Sequence, residues 1–372
     1  MMKKFRPTLS RRDFLKLAGA GLGALALGPL GRASAQFPAV ARLGRVTEAR
    51  VDIKSMPHPD MPTIGQLAAD TVVEWRREVT GMSPTYISRN QRWVETEHGY
   101  IFASHLQPVR NLPNPPLTEM PAGVPGFWAE VTVPYVDLIL DGPAVSPWLK
   151  SLIQYNFPPR LYYGQVVWID RIKSGDDGRI YYRFNEDQGH GYGYGDIFWA
   201  DGSAFYILKE EDVAPISPDV DPAEKTISVD LTYQTLSCYE GNREVFFCRV
   251  SSGAKYAASG AIVDTWATPV GQLHTHWKII SLNMSGGSST AGYSTPAVPW
   301  STVITPEGVA IHGAFWHNDF GTPRSHGCIN VRPEDAKWIF RWTTPYVSLQ
   351  QCEMRMTWPE HGTVVTTTER KL

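Results

Sequence analysis

The chain has 372 residues, a formal net charge of -2 at pH 7 and 19% charged residues. A charge so close to zero gives no electrostatic basis for nucleic-acid binding. Glycine (32 residues), proline (29), tyrosine (16) and tryptophan (13) are plentiful, which is typical of many short strands and turns and not of a helical bundle. The length accommodates two or three domains. We therefore expect a mainly β protein that does not bind nucleic acid.

The first 35 residues have the pattern of an export signal. Paired arginines in "SRRDFLK" (Ser10–Lys16) precede the apolar run "LAGAGLGALALGPL", and the small residues "ASA" (Ala33–Ala35) follow at the spacing of a cleavage site. The string resembles a twin-arginine signal, which exports folded proteins. The alternative is a buried N-terminal helix, but the flanks are those of a signal. We expect export to the periplasm or the extracellular cell wall, with the signal either cleaved or kept as a membrane tether.

Residues 36–110 and 127–217 read as tandem β units. "RLGRVTEARVDIKSM" near the start of the first unit parallels "FWAEVTVPYVDLIL" in the second, and "HGYIFASHLQPV" parallels "DGSAFYILKEEDVAPIS". Both units resemble bacterial SH3-like domains. The proline-rich stretch 111–126 between them has no apolar period and is typical of a stiff linker. The loop "GHGYGYGD" (Gly189–Asp196) lacks the strand-to-helix context of a nucleotide-binding loop, so we interpret it as a flexible loop.

Three of the four cysteines are interpreted as packed thiols or strand residues. A two-residue turn at Gly241-Asn242 would place Cys238 opposite Val245 and Cys248 opposite Thr235. Side chains alternate between the faces of a strand, so the two cysteines would lie on opposite faces and not form a disulfide. Cys352 has the surroundings of a strand residue.

The fourth cysteine lies in "SHGCIN" (Ser325–Asn330), and its surroundings suggest a nucleophile. A predicted helix starts at Pro333 shortly after Cys328, and backbone N–H groups at a helix start favour a thiolate. A cysteine nucleophile needs a base within hydrogen-bond reach. His312, at the end of the strand-like run "GVAIHGAFW", and the neighbouring His326 are the main candidates, with His317 a third.

Two other interpretations of Cys328 remain at this point. The first is an inert core thiol, the usual state of an isolated cysteine. The second is a zinc site with His312 and His326 as further ligands, although no paired-ligand motif accompanies them. A fourth zinc ligand would have to be His317 or a residue distant in the sequence.

His312-Gly313 followed by Ser325-His326-Gly327-Cys328-Ile329-Asn330 resembles the signature of L,D-transpeptidase (YkuD-type) catalytic domains. The resemblance covers residues 224–366 and includes "TPVG" (Thr268–Gly271). It implies a β-rich catalytic fold. Together with the two N-terminal units, we expect a mainly β chain: two tandem SH3-like β-barrel units followed by a β-rich catalytic domain with few short helices. It implies no metal and no organic cofactor.

The resemblance also implies roles for individual residues. Cys328 would be the nucleophile and His312 the proton donor and acceptor, with the backbone N–H groups around Gly327 and Cys328 as the oxyanion hole. The remaining expectations are that His326 and Gly327 shape the site, that Ser325 and Asn330 support the loop, and that Tyr293, Trp300 and His317 contact substrate.

The implied substrate is the stem peptide of peptidoglycan in the cell wall. Cys328 would release the terminal D-Ala of a donor tetrapeptide, and a second stem would then accept the acyl group to give a 3→3 cross-link. Carbapenems are expected to acylate the same sulfur. Two alternatives remain open: an L,D-carboxypeptidase or endopeptidase that uses water at the same site, and a non-catalytic wall-binding protein.

Overall fold

The computed structural model describes residues 37–84, 90–255, 263–286, 293–357 and 360–370, so the expected signal at 1–35 lies outside the described residues. These residues are mainly β, with three short α-helices, as the composition predicts. No helix in this part of the chain is long and apolar enough to cross a membrane.

The first unit contains a three-stranded and a five-stranded sheet. Its strands are β1 (Leu43–Val46), β2 (Arg50–Lys54), β3 (Thr63–Ala68), β4 (Val72–Glu74), β5 (Arg77–Thr80), β6 (Arg92–Thr96), β7 (Gly99–Phe102) and β8 (Leu106–Val109). The strand orders are β4-β1-β8 and β3-β2-β7-β6-β5, and all pairs are antiparallel.

The second unit is built on a six-stranded sheet of order β11-β15-β14-β13-β9-β16, with β10 and β12 as a separate pair. Its elements are β9 (Phe127–Val131), β10 (Tyr135–Asp137), β11 (Ile139–Leu140), α1 (Pro147–Gln154), β12 (Arg160–Tyr162), β13 (Val166–Ser174), β14 (Ile180–Asn185), β15 (Ile197–Asp201), β16 (Phe205–Ile207) and α2 (Glu210–Val213).

The two units share one arrangement. In each, the first strand pairs antiparallel with the last, β1 with β8 and β9 with β16. A strand and a 3₁₀ turn precede the last strand, with the turn at Ala103–His105 in the first unit and at Gly202–Ala204 in the second. The segment that corresponds to "GYIFASHLQPV" therefore begins at Ile197, several residues earlier than the sequence parallel suggested. SH3-like barrels remain a prediction for both units.

The C-terminal region contains two five-stranded sheets, of order β19-β18-β17-β26-β20 and β24-β23-β22-β21-β25. Its elements are β17 (Lys225–Asp230), β18 (Thr235–Glu240), β19 (Arg243–Arg249), β20 (Gly271–His274), β21 (Trp277–Gly286), β22 (Tyr293–Val303), β23 (Ala310–Gly313), β24 (Ile329–Val331), α3 (Pro333–Trp342), β25 (Glu353–Arg355) and β26 (Val364–Thr368). Two pairs, β17–β26 and β23–β24, are parallel.

Helix α3 covers the core between these sheets. Pro333 occupies the first turn, where its missing N–H costs no hydrogen bond, and Glu334 and Asp335 follow at the positive end of the helix dipole. Its inward residues, among them Ala336, Ile339 and Phe340, recur at helical spacing. The helix predicted from "RPEDAKWIF" is thus confirmed.

The β18–β19 hairpin corrects the predicted cysteine register. A bulge after Cys238 shifts the pairing by one residue, so that Cys238 lies opposite Phe246 and Cys248 opposite Leu236. Since a one-residue shift moves side chains to the other face, both cysteines face the same core. They are buried, free thiols, as expected of packed cysteines, but their predicted placement on opposite faces was wrong. Cys352 precedes β25 in a left-handed conformation (φ 55°) and is not a strand residue.

The connecting segments are held by hydrogen bonds. Within 111–126, the Leu112 N–H donates to Thr132, 3.0 Å away, and the Asn114 N–H donates to Ser203, 2.8 Å away. The 186–196 loop docks on β21: the Asn283 N–H donates to the His190 carbonyl at 2.9 Å, and the His190 ring is buried against Trp128. The interpretation of this loop as flexible was wrong, because it packs against the C-terminal region.

The second unit and the C-terminal region share one hydrophobic core. Trp128, Val166 and Leu208 of the second unit belong to the same buried cluster as Ile280 and Ile311. The Ser281 hydroxyl also donates to the Val166 carbonyl at 2.6 Å. The two regions are therefore packed together and not merely tethered.

All three regions meet at a buried charged junction. Arg45 of the first unit donates to Asp70 at 2.7 Å and to the Phe315 carbonyl of the C-terminal region at 2.7 Å. Asp70 also accepts from Arg160 of the second unit at 2.8 Å, and the Tyr162 ring stacks on Phe315 with centroids 5.7 Å apart. This junction fixes the start of the segment that joins His312 to "SHGCIN".

Candidate active site

Cys328 lies immediately before β24, which runs parallel to β23. The register places His312 opposite Asn330, two residues beyond Cys328. The Cys328 sulfur contacts backbone at the start of β23 and just before it: its thiol faces the Gly308 carbonyl at 3.9 Å, and the Ala310 N–H is directed at the sulfur. The strand pair thus places His312 within two register positions of Cys328, although the two residues lie sixteen positions apart in the chain.

The thiol is not activated by a helix. Burial raises the pKa of Cys328 above its ordinary value, and the Ala310 N–H offsets only part of that increase. The expected stabilisation of a thiolate by α3 was wrong, because strand β24 separates Cys328 from the first turn at Pro333. The partly exposed sulfur therefore rests as a neutral thiol.

His312 is buried and neutral. Burial lowers its pKa to about 4, although the hydrogen bond to Gly313 acts in the opposite direction. Its Nδ1 lies 3.3 Å from the Gly313 carbonyl, which can only accept, so Nδ1 carries the proton. The other ring nitrogen, Nε2, is then unprotonated and has the form of a general base.

His317 and Asn330 form a buried pair behind this strand. His317 Nδ1 accepts from the Asp319 N–H at 3.2 Å, so the proton of the neutral ring is on Nε2, which lies 3.0 Å from the Asn330 amide. The Nε2–H of His317 needs a hydrogen-bond acceptor, and within the Asn330 amide only the oxygen can accept. The amide is therefore oriented with its oxygen towards His317. This network supports the β24 backbone beside Cys328. His317 is 3% exposed, so its side chain is not available to contact a substrate as predicted.

Ser325 fixes the loop around the cysteine as expected of a support residue. Its hydroxyl donates to the Cys328 carbonyl at 2.5 Å and accepts from the Gly327 N–H at 3.1 Å. The Gly327 N–H is thus already engaged, which counts against its predicted place in the oxyanion hole. Gly327 has φ 126°, a conformation that favours glycine, and it breaks the extended path that would have aligned His326 with Cys328.

His326 is exposed, and its ring packs on Trp266 with centroids 4.3 Å apart. The structure therefore favours His312 over His326 as the base, because His312 is on the strand that contacts the sulfur. Among the described residues, no three His, Cys, Asp or Glu side chains converge in an arrangement that could hold a metal.

Two of the predicted substrate contacts, Trp300 and Tyr293, lie on strand β22 of the β21–β22 hairpin. Trp300 is 1% exposed, and its ring packs on Phe340 of α3 in the core. Its backbone is left-handed (φ 57°). The assignment of Trp300 as a substrate-binding residue was wrong, because a ring buried in the core is not available to a substrate. Tyr293 pairs with Gly286 through its backbone, but its side chain lies outside the described part of the structure.

Sequence reasoning missed Thr268 as a site residue. Its buried hydroxyl donates to the Gly327 carbonyl at 2.8 Å and accepts from the Gly253 N–H at 2.9 Å. Thr268 begins the "TPVG" string, but a string alone does not reveal which peptide group its hydroxyl contacts.

Comparison with known proteins finds similarity in the C-terminal region. Residues 224–366 match the family model described as the L,D-transpeptidase catalytic domain. L,D-transpeptidase 2 of Mycobacterium tuberculosis is 42% identical over 55 residues, which span 14% of this chain and 13% of that relative. The predicted resemblance of this region to the L,D-transpeptidase catalytic domain is confirmed.

Solved structures give similar matches. The catalytic domain of an Enterococcus faecium L,D-transpeptidase is 24% identical, with 39% of this chain and 98% of that chain covered and a TM-score of 0.29. The L,D-transpeptidase LdtMt1 in complex with imipenem is 16% identical, with 50% of this chain and 81% of that chain covered and a TM-score of 0.31.

Proposed function

We propose that this chain is an exported peptidoglycan L,D-transpeptidase that forms 3→3 cross-links through a thioester on Cys328. The observation that carries the proposal is the placement of His312, whose Nδ1 lies 3.3 Å from the Gly313 carbonyl and whose strand β23 runs beside Cys328, with the Ala310 N–H of that strand directed at the sulfur. The family match of residues 224–366 supports the class of reaction.

The first half-reaction is acylation of the enzyme. The thiol proton passes to Nε2 of His312 as the sulfur attacks the carbonyl carbon of the third stem residue, and the carbonyl electron pair moves to the oxygen. When the tetrahedral intermediate collapses, the bond to the terminal D-Ala breaks and His312 protonates the departing amine. A thioester on Cys328 remains.

The second half-reaction transfers the acyl group. The side-chain amine of an acceptor stem attacks the thioester, gives its proton to His312, and displaces the sulfur, which recovers a proton. The enzyme acts as a transferase, and not as a hydrolase, only if the acceptor amine reaches the thioester before water does. Water in the same position would release a tripeptide instead.

Mass spectrometry of the products tests this proposal. The mature protein is incubated with a disaccharide-tetrapeptide, beside Cys328→Ala and beside Cys352→Ala, which removes the other partly exposed thiol. We expect a cross-linked dimer that lacks one D-Ala from the wild type and from Cys352→Ala, and loss of activity in Cys328→Ala. Tripeptide without dimer would indicate a hydrolase, and unchanged turnover by Cys328→Ala would rule out the nucleophile.

Export rests on the N-terminal pattern alone. Residues 10–35 would direct the folded chain across the membrane to the compartment that holds peptidoglycan. Cell fractionation of the full chain tests this part of the proposal, and retention in the cytoplasm would contradict it.

A further inference from the structure

The Thr268 hydroxyl joins the cysteine loop to a second segment of the chain. It donates to the Gly327 carbonyl at 2.8 Å, and its own oxygen is held by the Gly253 N–H at 2.9 Å. Thr268 is 5% exposed, so these bonds are shielded from water and firmly placed. Gly253 can make this approach because it has no side chain: a Cβ there would lie 1.9 Å from the Trp266 carbonyl.

The Gly327 carbonyl belongs to the same peptide group as the N–H of Cys328. A trans peptide is planar, with its C=O and N–H on opposite sides, so fixing the carbonyl direction also fixes the direction of the N–H. Ser325 holds the following peptide through the Cys328 carbonyl and also engages the Gly327 N–H. Of the two backbone N–H groups expected in the oxyanion hole, the structure leaves that of Cys328 as the better candidate.

We propose that Thr268 is a positioning residue that aims the Cys328 N–H at the oxyanion formed during acyl transfer. The inference rests on the proposed acyl-transfer function. During attack the C–S bond forms, the carbonyl π electrons move to oxygen, and the thiol proton passes to His312. Donation by Thr268 to the Gly327 carbonyl polarises that peptide and strengthens its N–H as a donor. A correctly placed donor at this point acts mainly on the transition state.

Two reactions of the Cys328 sulfur distinguish a residue that positions the oxyanion donor from one that only supports the loop. Acylation by a β-lactam such as imipenem passes through an oxyanion, whereas alkylation by iodoacetamide displaces iodide and forms none. Loss of the Thr268 donor should therefore slow acylation and spare alkylation. A general distortion around Cys328 would slow both reactions together.

The experiment compares Thr268→Val, Thr268→Ser and Thr275→Val with the wild type. Valine keeps the shape but removes the hydroxyl, whereas serine keeps the hydroxyl. Thr275→Val is the matched control, because Thr275 is buried and its hydroxyl has no hydrogen-bond partner among the described residues. Acylation by imipenem and alkylation by iodoacetamide are followed by intact mass at the same pH, and circular dichroism checks folding.

We expect Thr268→Val to slow acylation roughly tenfold to a hundredfold, less than the roughly hundredfold to thousandfold cost of removing an oxyanion-hole donor outright, because the Cys328 N–H itself remains. Alkylation should stay close to the wild-type rate, because it forms no oxyanion for the Cys328 N–H to stabilise. Thr268→Ser should restore most of the acylation rate, and it also tests the role if the valine variant fails to fold. Equal slowing of both reactions, or unchanged acylation in Thr268→Val, would overturn the positioning role. A wild-type protein that neither forms an imipenem adduct nor turns over tetrapeptide would instead overturn the proposed function.

Discussion

Burial acts on Cys328 and His312 in opposite chemical directions. It raises the pKa of the thiol and lowers that of the imidazole, because each group loses hydration of its charged form. A resting thiolate–imidazolium pair needs a thiol pKa below that of the imidazole. Here the order is reversed, so the pair rests as neutral thiol and neutral base, and substrate must be present when the proton moves.

The resting state predicts the pH dependence of Cys328 alkylation. Only the thiolate reacts with iodoacetamide, so the rate should still rise above pH 8, with an inflection above the ordinary cysteine value. Intact-mass kinetics between pH 5 and pH 10 measure this, and Cys328→Ala gives the background from the other thiols. A flat profile from pH 5 to 7 would show a preformed thiolate and contradict the neutral pair.

At the scale of elements, the site depends on close packing between the backbone that follows β19 and the backbone of the cysteine loop. The Ser251 N–H and carbonyl pair with Asn330, and Gly253 bridges to Ser325. Gly253 also lies against the segment that carries Thr268. The cysteine loop is thus held from the side opposite β23 by a stretch that follows β19.

Gly253→Ala should destabilise the protein. The new Cβ would lie 1.9 Å from the Trp266 carbonyl and 2.7 Å from the Thr268 nitrogen, both backbone atoms that cannot move aside alone. We expect a loss of about 3 kcal/mol or more in the free energy of unfolding, measured by urea denaturation. Gly65→Ala is the control, because its nearest neighbour is the end of the Ile53 side chain at 3.3 Å. Equal stability of the two variants would contradict the close approach.

At the scale of the whole molecule, the N-terminal units contribute to the placement of the active-site segment. Arg45 is 3% exposed, and it contacts the Phe315 carbonyl only three positions after His312 in the chain. Asp70 joins Arg45 to Arg160, so one carboxylate links the first unit to the second. The position of the His312 segment thus depends on residues from every region.

Arg45→Met should lower both stability and activity. It leaves the Phe315 carbonyl and one Asp70 oxygen without their buried donor, and breaking a buried pair costs about 3–5 kcal/mol. Because Asp70 keeps its contact with Arg160, we expect the loss in the free energy of unfolding to fall at the lower end of that range. Urea denaturation measures this loss. Imipenem acylation should slow as well. Arg50→Met, at an exposed position on β2, is the control, and wild-type stability in Arg45→Met would contradict the role of the junction.

Local features of this molecule could be predicted from the sequence, and long-range features could not. Proline and acidic residues marked the start of α3, and the strand run before His312 marked β23. The bulge after Cys238 has no sequence signature here, and it reversed the predicted face of Cys248. The contact of Arg45 with Phe315 joins residues 270 positions apart, a distance over which periodicity carries no information.

The core shared by the second unit and the C-terminal region has a practical consequence for work with fragments. Excision of residues 224–366 would strip Trp128, Val166 and Leu208 from the cluster that contains Ile280 and Ile311. The excised domain would then present a fresh apolar surface to water, and such surfaces promote aggregation. Although the family match ends at the boundaries of one domain, a fragment that keeps this core intact has to include the second unit as well.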